Sequence, residues 1–211
     1  MSLLVHDGVL APANRFDVGG PGGGLPGERR EPPPAGFNTA RFGLWVLLGT
    51  ISMLFIGFTS ALLVRRVSSD WLAMPAPALL WANTGALLLS SVTLEMARRN
   101  LRAARGTHVL PFVVATGVLG AVFVAGQVRL WSGLVAQGIY LSVNPHSDFF
   151  FVLTGVHVVH ILAALAWYAV VLTKVSRRAY APGVDGLALF ATFWHFLAAV
   201  WVYLLYVLFI L

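Results

Sequence analysis

The chain has 211 residues, 58% of them hydrophobic and only 10% charged, and a charge fraction that low points to lipid as the surrounding solvent. It has no cysteine, which excludes disulfides, thiolate metal sites, cysteine nucleophiles and iron–sulfur clusters. Its net charge of +6 would suggest nucleic acid in a soluble protein, but the basic residues sit at the ends of apolar runs, so no nucleic-acid partner is expected.

Residues 1–39 form a separate tract. The stretch GGPGGGLPGERREPPPAGF is rich in Gly and Pro and has no apolar periodicity. Such a segment buries too little surface to offset its ordering entropy, so a flexible cytoplasmic tail is predicted, solvated or acting as a tether. It lacks the apolar stretch of a signal peptide.

Five apolar runs follow, at about 42–64, 78–97, 109–131, 149–173 and 186–211. Each approaches or exceeds the ~20 residues a helix needs to cross ~30 Å of hydrocarbon. The breaks carry turn chemistry: Pro75 and Pro77, the stretch from Arg98 to Thr107, Asn144-Pro145, and Pro182-Gly183. No strand-like alternation is present, so the predicted fold is an all-α membrane bundle of five transmembrane helices, residues 40–211.

Charge sets the predicted orientation. With a cytoplasmic N-terminus, the inner segments carry Arg15, Arg29, Arg30, Arg41, Arg98, Arg99, Arg102, Arg105, Lys174, Arg177 and Arg178, eleven of the fourteen basic residues. The outer loops hold Arg65 and Arg66. This bias predicts the N-terminus inside and the C-terminus outside.

Ionisable or strongly polar groups at membrane depth are costly and therefore informative. They are Glu95, Gln127, Arg129, His157, His160 and His195, with Asn83 and Thr84 as uncharged companions. His157 and His160 are three apart and share one face of the fourth helix. With His195 on the fifth, they could bind copper, iron or haem. The alternative, favoured because no acid lies near them in sequence, is interhelical hydrogen bonding or lipid contact, at about 1 kcal/mol per bond. Glu95 is placed to pair with Arg98 and Arg99 by i,i+3 and i,i+4 contacts. Arg129 can snorkel to the headgroups, and Gln127 can face inward. Gly117, Gly120, Ala121, Ala125 and Gly126 line the third helix and predict close approach of a neighbouring backbone.

In order, these residues resemble the cytochrome c oxidase subunit III family. The resemblance runs from Arg41-Phe42-Gly43-Leu44-Trp45 in the first helix to Leu80-Trp81-Ala82-Asn83-Thr84 in the second. It continues through Leu119-Gly120, Phe123, Gln127 and Trp131, then Phe149-Phe150-Phe151 with Thr154-Gly155-Val156-His157-Val158-Val159-His160, and ends at Trp194-His195-Phe196 and Trp201. It covers residues 41–211 and matches the five-helix form. Three family carboxylates are absent: Ile51, Leu130 and Ala198 stand in their places.

The resemblance implies a non-redox accessory subunit of a respiratory haem-copper cytochrome c oxidase in the bacterial inner membrane. It would brace subunit I, neighbour subunit II, hold phospholipid and support proton uptake. Haem and copper would lie in the partner subunits and no cofactor in this chain. Trp45, His157, His160, Lys174 and His195 are the lipid-binding or bundle-packing candidates, Lys174 as a phosphate anchor, and Asn83, Glu95 and Gln127 the polar intramembrane ones. Two other readings are a subunit of a quinol oxidase or nitric oxide reductase system, and an independent haem- or copper-binding enzyme using His157, His160 and His195.

Overall fold

The computed structural model describes residues 39–103, 109–139, 141, 144–177 and 186–211. The tail up to residue 38 lies outside them, with Arg15, Arg29 and Arg30, as do Arg105, Thr107, Arg178 and the Pro182-Gly183 break. Among the described residues there are five α-helices and no strand: α1 Thr39–Arg65, α2 Ala78–Arg102, α3 Val109–Ala136, α4 Pro145–Ser176 and α5 Gly186–Phe209.

The helices outrun the apolar runs where polar residues favour helix. α2 continues through Arg98 and Arg99 because arginine is a good helix former and both pair with Glu95 one turn back. α4 starts four residues before its apolar run. Asn144 caps it by accepting from the backbone N–H groups of His146 and Ser147, and Pro145 occupies the first turn, where a missing N–H costs nothing. Four helices (α1, α3, α4 and α5) are long and apolar enough to cross a membrane. α2 is as long but carries Asn83, Thr84, Ser90, Ser91, Thr93 and Glu95. It buries Asn83, Thr84 and Ser90 against other helices.

Contacts alternate in direction. Thr93 meets Thr116 while Asn83 lies against Gly126, so α2 and α3 are antiparallel. Trp131 meets Thr154 and Tyr168 meets the Val113 carbonyl, which makes α3 and α4 antiparallel. His157 against Trp201 and Trp167 against Phe190 do the same for α4 and α5. α5 is the central element: it packs on α1, α2 and α4 and buries Trp194, Leu197, Trp201 and Leu204. Among the described helices α1 touches α4 and α5, and most of its residues are exposed.

The glycines of α3 have a different neighbour from the one predicted. What they admit is side chains. A Cβ at Gly117 would collide with the Tyr168 ring, one at Gly126 with the Asn83 amide, and one at Gly120 would lie 2.8 Å from the Trp194 indole. Large planar groups from α2, α4 and α5 fill the space the missing side chains leave.

Candidate functional site

Aromatic N–H and O–H groups stitch the bundle together. On the α5–α2 seam, Trp194 Nε1 donates to Ser90 Oγ and Trp201 Nε1 to Thr84 Oγ1, each at 3.0 Å. Tyr203 donates to Thr59 at 2.9 Å and ties α5 to α1. On the α3–α4 seam Trp131 donates to Thr154 at 3.1 Å and Tyr168 to the Val113 carbonyl at 3.0 Å. Each hydroxyl acceptor is a Ser or Thr that also donates to a carbonyl of its own helix, as Thr84 does to Leu80, so both lone pair and proton are used. In hydrocarbon such bonds are worth about 0.6 kcal/mol on average and up to ~1.7.

His157 occupies the centre of this framework, fully buried. Its ring meets Trp201 at 5.2 Å, Phe123 edge-on at 6.2 Å and Phe55 at 6.3 Å. Neither ring nitrogen has a hydrogen-bond partner. Gln127, also fully buried, has no partner for either amide atom, and Asn83 lacks one for Nδ2. Buried groups left in this state cost about 1–3 kcal/mol each. The interhelical hydrogen bonds expected of His157 and Gln127 are therefore not made directly. His160 is half-buried; its Nδ1 lies 2.8 Å from the Val156 carbonyl of its own helix, and its ring packs at 5.9 Å from Phe55.

His195 lies elsewhere, at the end of the bundle where α2 finishes. Its Nε2 is 3.9 Å from Glu95, whose two oxygens face Arg98 at 3.3 Å and Arg99 at 3.2 Å. The three histidines thus fall into two places: His157 and His160 around Phe55, and His195 at Glu95. Among the described residues no group of three His, Cys, Asp or Glu side chains could hold a metal ion. Trp45 is 66% exposed on α1, and the inward positions beside it are Leu44 and Leu48. Lys174 is exposed in the last turn of α4, at the same end as Arg41, Arg98, Arg99, Arg102 and Arg177. Ile51, Leu130 and Ala198 are all buried within the main core.

One of the described histidines escaped the sequence reading. His146, buried in the first turn of α4, accepts a hydrogen bond at Nδ1 from the Met74 backbone N–H (2.8 Å) and stacks on Trp71 at 5.0 Å. It pins the α1–α2 loop to the ends of α4 and α5, where Phe209 also meets it at 5.7 Å. The signal was present as Asn144-Pro145-His146, a capped helix start that places the next side chain at a fixed angle. Arg129 is exposed and lines a cavity of about 410 Å³ with Pro77, Leu130 and Gln137.

The model of the family described as cytochrome c oxidase subunit III matches residues 72–211, that is, α2 to α5 and the loop before them. The chain is 27% identical over 173 residues to "Probable quinol oxidase subunit 3" of Staphylococcus saprophyticus, an alignment covering 79% of this chain and 86% of that protein. It is 29% identical over 176 residues to "Cytochrome bo(3) ubiquinol oxidase subunit 3" of Pseudomonas aeruginosa, covering 80% and 82%. To "Quinol oxidase subunit 3" of Bacillus subtilis it is 27% identical over 167 residues, covering 77% and 82%. The family match takes in the Trp–hydroxyl rungs of the α5–α2 seam and the His157 centre. The chain belongs to the cytochrome c oxidase subunit III family.

Proposed function

We propose that this chain is a non-redox accessory subunit of a respiratory haem-copper oxidase, a multi-pass protein of the bacterial inner membrane that braces the catalytic subunit I and lies near subunit II. The observation that carries the reading is the family match across α2–α5. The histidines have places within the bundle that a bracing subunit would use: His157 and His160 pack against Phe55, and His195 lies 3.9 Å from Glu95.

The relatives' names favour quinol over cytochrome c as the electron donor of the complex. Phospholipid is the expected companion. A groove of about 740 Å³ between α1 and α4, lined by Gly57, Ser60, Ala61, Asp148 and Phe149, with Arg65 at its edge held by Asp70, offers volume for an acyl chain. Lys174 and the arginines of the opposite end are the proposed anchors for phosphate on the cytoplasmic side, which the positive-inside rule assigns to that end. The segment before α1 is the proposed cytoplasmic tail.

Purification from native membrane through a C-terminal tag tests this. The expected eluate contains the large oxidase subunits, absorbs as haem and oxidises quinol faster than reduced cytochrome c. A colourless chain eluting alone would overturn the subunit reading. A haem-containing eluate that oxidises only cytochrome c would overturn the choice of donor alone.

A further inference from the structure

Three buried side chains, one each from α2, α3 and α4, carry polar atoms without a partner. On α3, Gln127 stands one turn from Phe123 and one turn from Trp131, all on one face. Phe123 lies edge-on to His157 at 6.2 Å, and Trp131 donates to Thr154, three residues before His157 on the same face of α4. Gln127 lies between the two α3 residues that make these contacts and His157 makes one of them, which places both on the α3–α4 seam about one turn apart. Asn83 reaches this level from α2, its amide lying against Gly126, next to Gln127. Thr84 beside it bonds Trp201, whose indole faces the His157 ring at 5.2 Å.

The unpartnered atoms are Asn83 Nδ2, Gln127 Oε1, Gln127 Nε2, His157 Nδ1 and His157 Nε2. A neutral imidazole offers one donor and one acceptor, a carboxamide two donors and an acceptor. Helical N–H groups here are committed to the ladder, and although a helical carbonyl can take a second donor, as that of Val113 does from Tyr168, none bonds these atoms. The ring neighbours of His157 are Phe55, Phe123 and Trp201. A molecule with two donors and two acceptors that fits between aromatic walls is water, and buried waters typically make about three hydrogen bonds to such groups.

We propose that Gln127 and His157, with the Asn83 amide as third contact, form an internal water-binding site at the centre of the bundle. The site adds a second polar joint between α3 and α4, about one turn from the Trp131–Thr154 bond. It explains how a fully buried His and Gln persist in the interior of the bundle. It does not depend on the electron donor of the complex or on the identity of the partner subunits.

The test is a high-resolution cryo-electron microscopy map of the intact native complex containing this chain. Water-sized density is expected within roughly 2.7–3.2 Å of a His157 ring nitrogen and of the Gln127 carboxamide. It should be absent in Gln127→Leu, with the helices unmoved. Direct contact between Gln127 and His157, or carbon alone around the imidazole, would overturn the proposal. A second measurement is the unfolding equilibrium of Gln127→Leu, His157→Phe and the double variant. The double variant is expected to lose roughly tenfold less than the product of the two single losses, as residues in one hydrogen-bond network do. Independent, multiplicative losses would count against a shared water.

Discussion

Trp201 and Thr84 face each other across the α5–α2 seam, with the indole N–H donating to the threonine hydroxyl at 3.0 Å. The same indole packs edge-on against Phe123 at 4.9 Å and against His157, so one side chain of α5 touches α2, α3 and α4. Trp201→Phe retains most of the ring and loses the donor, and an average interhelical bond sets the expected cost at about 0.6 kcal/mol. Trp201→Ala leaves a cavity in the fully buried centre and should cost about 3–5 kcal/mol. Thermal or denaturant unfolding of the purified protein in detergent measures both, and equal losses would deny the cavity argument.

The α3 and α1 glycines should behave oppositely. Gly120→Ala places a methyl 2.8 Å from Trp194, which is buried and tethered to Ser90 and so cannot yield. Overpacking of this kind costs about 1–3 kcal/mol. Gly49→Ala meets nothing within 4 Å and removes a helix-weakening glycine, a gain of up to about 1 kcal/mol in the isolated chain. Comparing unfolding midpoints of the two variants checks the contrast.

In the α1–α2 loop, Arg65 grips Asp70 with two hydrogen bonds, at 2.8 and 2.6 Å. The guanidinium, aided by Ser68, holds the Asp70 carboxyl below its ordinary value of 3.8. A depressed carboxyl contributes order that is complete above its unfolded value and fades as pH falls through the lowered one. Amide exchange across residues 66–71, corrected for the intrinsic pH effect, should therefore stay constant from neutral pH down to 3.8 and rise below it. Asp70→Asn should abolish that dependence.

His146 accepts from the Met74 N–H at Nδ1, so its own proton resides on Nε2 in the neutral ring. His146→Phe keeps stacking against Trp71 but strands a buried N–H, at about 1–3 kcal/mol. The loop spanning 66–77 should become the first site of limited proteolysis in that variant. Unchanged cleavage would show that stacking alone holds the loop.

The helices were legible because lipid imposes a simple rule: a long apolar run must satisfy its backbone internally, and an α-helix does so. Run lengths therefore located all five elements; the ends that differ most are at Arg98–Arg102 and Pro145–Asp148, where polar residues prolong helix, and at Ser132–Ala136, where α3 runs on past its expected end at 131. The i,i+4 pairing of Glu95 with Arg99 was likewise readable, because both partners lie on one helix.

What the sequence by itself determined is thus local or one-dimensional: helix number, the breaks between helices, and the ordered motifs that carry the family resemblance. Only the tertiary structure decided which faces meet. It separated His195 from His157 and His160, filled the α3 glycine notches with aromatic and amide side chains, and brought His146 to Met74, 72 residues away. Periodicity fixes which residues share a face of one helix. Which helix that face meets depends on shape and hydrogen bonding between elements far apart in sequence, and no local pattern records it.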